Sequence, residues 1–282
     1  MKSMITALII AAVLIICGIY IYFENNTLQS SKFDISSGRL PAAFDGFRIA
    51  QVSDFHNTGS SRLRNSIVSS LKAEKPDIIV LTGDFIDSRH TDVDGAMDFI
   101  QSIRDIAPIY FAAGNHESRL EEYPQIKKRL AENGVAVLDN KTVLLEKDGC
   151  FINLIGIDDP AMAHRKDISP DVIAAQELDA AGADMSKYTV LLSHRPELFE
   201  TYAAKKVDLV LSGHAHGGLV RLPFIGGIIA PGQGLFPQYT AGPFEKGQTV
   251  MAVSRGLGSS VLPVRLRINN RPELVFIVLK HA

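Results

Sequence analysis

Short apolar runs that end in polar residues recur along the chain. They occur in "FRIAQVSDFH", "DIIVLTGDFID" and "PIYFAAGNHES", and again later in "YTVLLSHRPE" and "VDLVLSGHAHGG". Runs of this length and composition are typical of buried strands. Stretches with the apolar periodicity of a helix follow the first three runs, and this alternation predicts a largely parallel sheet.

The centre and the end of the chain are richer in predicted strands. Short strands are expected at Val143–Glu146 and Phe151–Gly156, and the last stretch, Thr249–Leu279, is predicted to contain strands only. A second sheet is therefore expected beside the first. The predicted helices are Leu63–Lys72, 92–106, Tyr123–Asn133 and Pro170–Ala180. The expected fold class is α/β, a four-layer α/β/β/α sandwich of two mixed sheets.

The N-terminus has a membrane signal. Residues 4–23, "MITALIIAAVLIICGIYIYF", carry no charge and are long enough to cross a bilayer as one helix. The run ends in bulky aromatic residues, whereas the apolar region of a cleavable signal peptide is shorter and ends in small ones. We therefore predict one N-terminal transmembrane helix in a membrane anchor at residues 1–26, with a cleaved signal sequence as the alternative.

Two further regions are predicted after the anchor. Residues 27–44 are polar and mixed, and we expect a tether there, followed by a large folded domain at residues 45–282. Long domains that follow a first helix usually cross the membrane whatever the flanking charges. The predicted location is the cell membrane, single-pass, with the domain outside the cytoplasm.

Composition excludes several classes of site. The chain of 282 residues has a formal net charge of −2, so no basic surface for nucleic acid is expected. Its two cysteines rule out a disulfide framework and thiolate zinc sites. Any metal must be held by His, Asp, Glu or Asn side chains. The oligomeric state is left open.

The polar tips of five predicted strands contain residue types that bind metal ions. Strands of an open α/β sheet present their carboxyl ends at one edge, so tips far apart in sequence can converge. Any single tip is typical of an ordinary turn or cap, but five of them in this order predict a shared metal site. The candidate ligands and their neighbours are Asp54, His56, Asp84, Asp87, Asn115, His116, Glu117, His194, His214 and His216.

The ligand types indicate the metals and the chemistry. Oxygen and imidazole donors without thiolates suit Mn, Fe(II) or Zn. Asp-x-His and His-x-His place both side chains on one side of an extended segment. Such a set fits two divalent ions about 3.5–4 Å apart, as in two-metal hydrolytic sites. The two tip aspartates leave this ion pair with a net positive charge, which attracts a phosphate ester.

The order of the motifs D-x-H, G-D-x-x-D, G-N-H-E, H and G-H-x-H resembles the calcineurin-like metallophosphoesterase superfamily. The stretches "VRLPFIGGIIAPGQGLFPQYTAG" and "SRGLGSSVLPVRLRINNRPEL" resemble its membrane-anchored bacterial branch. Some members of that branch resemble enzymes that split the pyrophosphate of a UDP-linked acylated sugar. The similarity covers nearly the whole chain after the anchor.

The resemblance implies a role for each matching residue. One metal ion would be held by Asp54, His56, Asp84 and His216, and a second by Asp84, Asn115, His194 and His214. His116 would be the catalytic residue, contacting the phosphoryl oxygens or protonating the leaving group. Glu117 would orient His116, and Asp87 would fix an imidazole through its other nitrogen.

The predicted function is a dinuclear metal-dependent phosphoesterase. Its cofactors are two divalent ions, Mn, Fe or Zn, and metal-bound hydroxide attacks a phosphate ester or pyrophosphate in line, without a phosphoenzyme. The alternative is a catalytically silent metal-binding scaffold with the same fold, although such proteins usually lose a ligand and none is missing here. An amidohydrolase is a third hypothesis, but there His-x-His would come on the first strand.

Features outside the motifs leave the substrate open. One interpretation of the apolar segment Leu219–Phe236 is a rim that admits a membrane-derived, lipid-linked phosphoester or contacts the bilayer. The other is a strand pair packed in the core, with Gly and Pro in its turns. Arg62, Arg64 and Arg195 either hold an anionic group of the substrate or lie on the surface. The pair Asp158 and Asp159 either borders the site or makes a turn.

Overall fold

Two six-stranded sheets, each mixed in strand direction, form the centre of the protein. The computed structural model describes residues 2–58, 60–165, 167–258 and 267–282. The helices are α1 (Lys2–Asn26), α2 (Ser61–Glu74), α3 (Val93–Ile103), α4 (Tyr123–Glu132), α5 (Pro170–Ala180) and α6 (Phe199–Ala204). Those expected from periodicity correspond to α2 through α5.

The first sheet has the order β1-β16-β2-β3-β4-β5. Its strands, numbered along the chain, are β1 (Gln29–Ser37), β2 (Arg48–Val52), β3 (Ile78–Thr82), β4 (Ile109–Ala112), β5 (Val135–Val137) and β16 (Glu273–His281). Strands β2 to β5 run parallel, while β16 is antiparallel to β2 and parallel to β1. Every residue of β3 is buried, as a central parallel strand covered on both faces requires.

The second sheet has the order β14-β15-β9-β8-β7-β6. Its strands are β6 (Lys141–Lys147), β7 (Cys150–Gly156), β8 (Thr189–Leu192), β9 (Leu209–Ser212), β14 (Gly242–Lys246) and β15 (Thr249–Val253). The four inner strands are parallel and the two outer ones pair antiparallel. Of the predicted strand region Thr249–Leu279, residues 259–266 lie outside the described residues.

Three apolar layers hold the sandwich together. Helices α2, α3 and α4 bury residues such as Ile67 and Ile100 against the first sheet. Side chains of the two sheets, among them Ile49 and Leu211, meet between them. Helices α5 and α6 cover the outer face of the second sheet. The α/β/β/α sandwich is confirmed.

The stretch expected as a tether contains ordered structure. Strand β1 pairs in parallel with β16 along its whole length, from Gln29 opposite Glu273 to Ser37 opposite His281. Leu40 and Phe44 are buried in the layer between the sheets. The reason is a period-two alternation in β1 that half-buries one face of an edge strand.

The apolar segment Leu219–Phe236 forms two short hairpins. The first joins β10 (Arg221–Leu222) to β11 (Gly226–Gly227), and the second joins β12 (Ile229–Ala230) to β13 (Gly234–Leu235). Most of its large apolar side chains are exposed, so the expectation of a strand pair packed in the core does not hold.

Helix α1 stands apart from the sandwich over most of its length. It is the one helix among the described residues that is long and apolar enough to cross a membrane, judged by length and composition. Its apolar side chains are exposed, whereas Glu24 in its last turn is 5% exposed. The end of α1 is therefore part of the folded structure.

Candidate metal centre

The carboxyl ends of strands from both sheets meet at one edge of the sandwich, which we call the metal edge. Asp54 follows β2, Asp84 follows β3 and Asn115 follows β4, while His194 follows β8 and His214 follows β9. All seven predicted ligands are buried, with exposures between 0% and 4%: Asp54, His56, Asp84, Asn115, His194, His214 and His216. Burial of so many polar side chains together requires partners for them.

Two groups of ligand atoms share Asp84. The first comprises Asp54, His56, Asp84 and His216, whose ligand atoms all lie within 4.8 Å of one another. The second comprises Asp84, His194 and His214 under the same limit. A third group under the same limit comprises His56, Asp87 and His116. Among the described residues, Asp84 is therefore common to two of the three groups, which together contain six of the seven predicted ligands, all but Asn115.

Distances within the groups leave room for cations between the side chains. Asp84 Oδ2 lies 3.1 Å from His194 Nε2 and 3.6 Å from His56 Nε2. His216 Nε2 lies 3.5 Å from Asp54 Oδ1. His194 Nε2 and His214 Nδ1 are 3.2 Å apart. Two imidazole nitrogens this close need a proton or a cation between them, because their lone pairs repel.

Several buried polar atoms in these groups lack a hydrogen-bond partner within the described part of the chain. They are Asn115 Oδ1, both ring nitrogens of His56 and Nδ1 of His216. A buried polar atom without a partner costs about 1–3 kcal/mol. Oxygen and imidazole atoms of this kind are ligands for divalent transition ions. The residues present therefore fit divalent metal ions.

The backbone at the tips is held in an unusual conformation. Five of the seven predicted ligands have positive φ angles: Asp54 (48°), His56 (45°), Asp84 (49°), His214 (65°) and His216 (47°). The left-handed region costs a residue with a side chain about 1–2 kcal/mol. Strain of this kind concentrates at functional sites, where the surrounding structure imposes it.

Two glycines permit the tips to approach each other. A Cβ atom added at Gly213 would lie 1.9 Å from Ser53 Oγ and 2.3 Å from Asp54 Oδ2. One added at Gly114 would lie 2.4 Å from the Asp84 nitrogen. Neither position has space for a side chain, so the glycines of G-N-H-E and G-H-x-H are steric requirements of the metal edge.

Neighbouring groups orient the predicted ligands. Ser53 Oγ donates to Asp54 Oδ2 at 2.7 Å, and the backbone N–H of His116 donates to Asp84 Oδ1 at 2.7 Å. His194 Nδ1 lies 2.9 Å from the Thr82 carbonyl oxygen, which only accepts, so Nδ1 carries the proton and Nε2 faces the site. Such contacts fix ring orientation and ligand basicity.

Glu117 ties two tips together. Its carboxylate accepts hydrogen bonds from the backbone N–H groups of Asp84, Ile86 and Gly114 at 2.9, 3.0 and 2.8 Å. Burial and the Asp84 charge raise the pKa of Glu117 to about 7, although the N–H donors oppose this. Its contacts are thus with the backbone, a role that the sequence motif did not indicate.

His116 lies beside the two ligand groups. Its Nδ1 accepts the Ser88 N–H at 3.0 Å, so the proton of the neutral ring is on Nε2, which lies 4.0 Å from Asp84 Oδ2. Asp87 stands between two imidazoles, with Oδ1 3.5 Å from His116 Nδ1 and Oδ2 4.0 Å from His56 Nδ1. The Nε2–H of His116 is therefore directed toward the metal edge.

Charge interactions couple the buried groups. Burial alone would raise the pKa of Asp84, but the charge and hydrogen bond of His194 hold it well below its usual value. Burial alone would lower the pKa of His194, but Asp84 raises it to about 10. Burial lowers the pKa of His56 and His214. His56 and His214 are therefore in the neutral form that binds metal, whereas the Asp84 charge favours a proton on His194 that a bound cation would replace.

A cavity of about 290 Å³ opens onto the metal edge. Besides predicted ligands and His116, its walls contain Arg89, Arg119 and Arg195. Arg195 pairs with Asp159 (Nη2 to Oδ1, 2.9 Å), and its Nη1 lies 3.1 Å from His214 Nε2. Arg195 and Asp159 therefore border the site, whereas Arg89 and Arg119 were missed because no motif distinguishes a lone arginine.

The strand tips, the buried Asp and His groups and the paired sheets are those of a metal-dependent phosphohydrolase. The sequence profile of the calcineurin-like phosphoesterase family matches residues 47–218, and the chain belongs to this family.

Related proteins agree with this assignment. YkuE of Bacillus subtilis, described as an uncharacterized metallophosphoesterase, is 32% identical over 268 residues, which cover 92% of this chain and 88% of YkuE. The phosphodiesterase YaeI of Escherichia coli is 27% identical, covering 83% and 82% of the two chains. TT1561 of Thermus thermophilus superimposes with a TM-score of 0.50 over 74% of this chain and 89% of its own, at 12% identity. The last likeness shows the fold alone.

Proposed function

We propose that the protein hydrolyses a phosphate ester or pyrophosphate with two divalent ions, Mn, Fe or Zn, held in ligand sets that share Asp84. The observation that carries the proposal is the presence of Asp84 in two of the three groups of clustered ligand atoms. Asp54, His56 and His216 complete the first set. The second set is completed by His194, His214 and Asn115, whose Oδ1 is buried without a hydrogen-bond partner.

When bound, the two ions supply Lewis acidity toward the phosphoryl group and activate a water molecule. The chain's own side chains bind and orient the substrate. Arg89, Arg119 and Arg195 line the cavity, and their guanidinium groups suit the oxygens of a phosphate or pyrophosphate. Arg195 is held in place by Asp159, so its position does not depend on substrate.

His116 is the proposed catalytic residue. Because the Ser88 N–H occupies Nδ1, His116 presents Nε2–H to the cavity and donates a hydrogen bond from it to a phosphoryl or leaving-group oxygen. Asp87 Oδ1 accepts the Arg89 backbone N–H at 2.8 Å and so holds the turn that carries Ser88, whose N–H orients the ring.

A second cavity favours a lipid-linked leaving group. It has a volume of about 590 Å³ and shares Arg195 and Gly232 with the cavity at the metal edge. Apolar side chains make up most of its walls, including Ile168, Ile173 and Leu198. A substrate with its phosphate at the metal edge and an apolar portion in this chamber would satisfy both surfaces.

We propose that α1 is a retained membrane anchor rather than a cleaved signal. The Glu24 carboxylate accepts hydrogen bonds from the Asn270 N–H at 3.0 Å and from Arg271 Nε at 2.8 Å. Removal of α1 would leave Arg271 without this partner. The proposed location is the cell membrane, with the phosphoesterase domain outside the cytoplasm.

Hydrolysis of a chromogenic aryl phosphodiester with Mn²⁺ tests the proposal, with bound metal measured by mass spectrometry. Asp84→Asn is expected to lose both ions and to lower the rate about a thousandfold or more, since metal catalysis supplies several kcal/mol. Asp208→Asn is the matched control, because Asp208 is also buried but bonds to Thr189 and Arg39. Activity and metal retained in Asp84→Asn would contradict the proposal.

The substrate class is tested separately with the full chain in nanodiscs. Nucleotides, phosphopeptides, phospholipids and UDP-linked acyl sugars are compared, and the lipid-containing substrates are expected to be hydrolysed fastest. A preference for a water-soluble nucleotide would overturn the lipid assignment. Two bound ions without hydrolysis of any substrate would favour the silent scaffold.

A further inference from the structure

The hairpins of segment 219–236 carry a cluster of exposed apolar side chains, which we call the hairpin patch. Its members are Leu222, Phe224, Ile225, Ile229, Leu235 and Phe236. Phe224 is fully exposed, and Leu235 and Phe236 are each 67% exposed. Outside α1, the other exposed large apolar residues of the described chain are Leu144, Phe151 and Val172. Single exposed apolar residues are normal, whereas a contiguous patch marks an interaction surface.

The backbone of the patch is ordered and locally strained. Phe224 and Phe236 have φ angles of 66° and 52°, where a bulky aromatic residue is a clear outlier. The Phe236 N–H donates to the Ile228 carbonyl at 2.8 Å, and the Ile228 N–H donates to the Val220 carbonyl at 2.9 Å. These bonds, and the bond from the Ile225 N–H to the Leu222 carbonyl at 3.3 Å, hold the hairpin backbone that carries the exposed rings.

The first hairpin is linked by hydrogen bonds to the end of the anchor helix. The Arg267 N–H donates to Asn25 Oδ1 at 2.9 Å, and Tyr20 bonds to Asn269. Asn269 Nδ2 in turn donates to the Arg221 carbonyl at 3.2 Å, and the Arg221 N–H donates to the Ile268 carbonyl at 3.0 Å. The first hairpin therefore begins on the same short segment that holds the last turns of α1.

We propose that the hairpin patch inserts into the surface of the bilayer that α1 enters. Apolar side chains at a membrane surface lie in the boundary between head groups and acyl chains, about 5–10 Å deep. Because the anchor fixes the domain at the bilayer, the patch meets lipid without a separate binding step. The proposal rests on the retained anchor of the proposed function.

Insertion has a consequence for substrate access. Pro231 and Gly232 belong to the second hairpin and line the cavity at the metal edge, and Gly232 also lines the apolar cavity. The hairpins pack directly on the tip after β9, where the Ile228 N–H donates to the Gly218 carbonyl at 3.2 Å. A patch seated in lipid would therefore hold both cavities at the bilayer surface, where the phosphate of a lipid-linked substrate lies.

The chain contains no tryptophan, which allows a site-specific test. Phe224→Trp and Leu235→Trp each place one indole in the patch. Phe151→Trp places one on β7, an exposed position outside the patch, where β7 pairs antiparallel with the edge strand β6 of the second sheet. The full-length variants are reconstituted in phosphatidylcholine nanodiscs, with or without brominated acyl chains. Emission from the two patch variants is expected to be blue-shifted and strongly quenched by brominated lipid, while Phe151→Trp is unaffected.

Two results would overturn the insertion. Emission from both patch variants that is unchanged by brominated lipid would show that the indoles do not reach acyl chains. Blue-shifted but unquenched emission would mean that protein, such as a second copy of the chain, covers the patch. If α1 is cleaved, the protein will not remain bound to the nanodiscs. That result would be seen before any fluorescence is measured, and it would refute the retained anchor on which the insertion rests. Catalysis plays no part in the readout, so an inactive enzyme does not affect the outcome.

Discussion

The metal edge and the hairpin patch are neighbours with opposite chemistry. At the metal edge, charged and polar side chains such as Asp54 and His194 are buried. In the hairpin patch, large apolar side chains such as Phe224 and Phe236 are exposed. Buried polar groups and exposed apolar patches are the two informative departures from ordinary burial. We propose that each region is completed by a partner from outside the polypeptide.

The two regions differ in the contacts that hold their side chains in these unusual positions. Glu117, Ser53 and Thr82 bond to ligand residues or to the backbone beside them, so the metal edge is fixed by hydrogen bonds from several strands. The hairpin patch is held by its own short ladders and by the segment under α1. Cations would complete the first region and lipid the second. Substitutions that alter one region and leave the other intact test this comparison.

The largest effect is expected from Gly213→Ala. The added Cβ would overlap Ser53 Oγ and Asp54 Oδ2, so the tip after β9 must move away from the tip after β2. Bound metal and hydrolysis are expected to fall to background, measured by mass spectrometry and with the aryl diester. Gly38→Ala is the control, because its Cβ would meet only the Ala282 carbonyl oxygen at 3.7 Å. Full metal content in Gly213→Ala would show that the edge is less tightly packed than described.

A smaller loss is expected from His116→Ala. One positioned hydrogen-bond donor to an oxygen that gains charge contributes about 10²–10³-fold, so the rate should fall within that range while both ions stay bound. His281→Ala, an exposed histidine at the end of the chain, should leave the rate unchanged. Loss of metal from His116→Ala would instead make His116 a ligand and contradict its proposed role.

Two phenylalanines sharpen the contrast in stability. Phe55, between Asp54 and His56, is fully buried and stacks on Phe85 and Phe99 with centroids 5.1 and 4.4 Å away. Phe55→Ala should lower the free energy of unfolding by about 3–5 kcal/mol. Phe224→Ala should change it by less than about 0.5 kcal/mol in detergent micelles. Chemical denaturation measures both, and equal losses would mean that the patch is structural.

Much of the fold was predictable because its signals are local. Strand β3 is apolar except for its last residue, Thr82, and Gly83 and Asp84 follow it directly, so both its burial and its polar tip are visible in one short stretch. The metal edge was predictable because its ligands occur in short motifs at successive strand ends. Asp84 in both ligand sets stays a prediction, and its carboxylate lies in two of the groups of clustered Asp and His atoms.

Other features depend on pairings that no local pattern encodes. Strand β1 is short of apolar residues and pairs with β16 more than 200 positions later, so its stretch resembled a tether. The apolar composition of segment 219–236 does not distinguish inward from outward side chains. The backbone bonds of Glu117 and the positions of Arg89 and Arg119 follow from how the strands are placed.

The smallest effect is expected at Glu177, a polar side chain outside both regions. Its Oε2 is buried without a partner among the described residues. Burial, followed by the charges of Asp158 and Asp159, raises the pKa of Glu177 to about 8 from an ordinary value of 4.5. No group of clustered metal ligands among the described residues includes Glu177, so protonation is the way in which the protein accommodates it.

The sign of this pH dependence follows from which state holds the proton more tightly. The folded state does, so the contribution of Glu177 to stability is complete below pH 4.5 and is lost as pH rises through about 8. Glu177→Gln should therefore flatten the fall in thermal midpoint between about pH 5 and pH 9 and be the more stable protein at the upper end of that range.

Circular dichroism in detergent micelles measures this thermal midpoint, with Glu121→Gln, at an exposed position, as control. Parallel curves for Glu177→Gln and the unsubstituted chain would mean that Glu177 is ionised at neutral pH. In that case an ionised carboxylate would persist with Oε2 buried and without a hydrogen-bond partner among the described residues, unlike the buried Asp208, which bonds to Thr189 and Arg39.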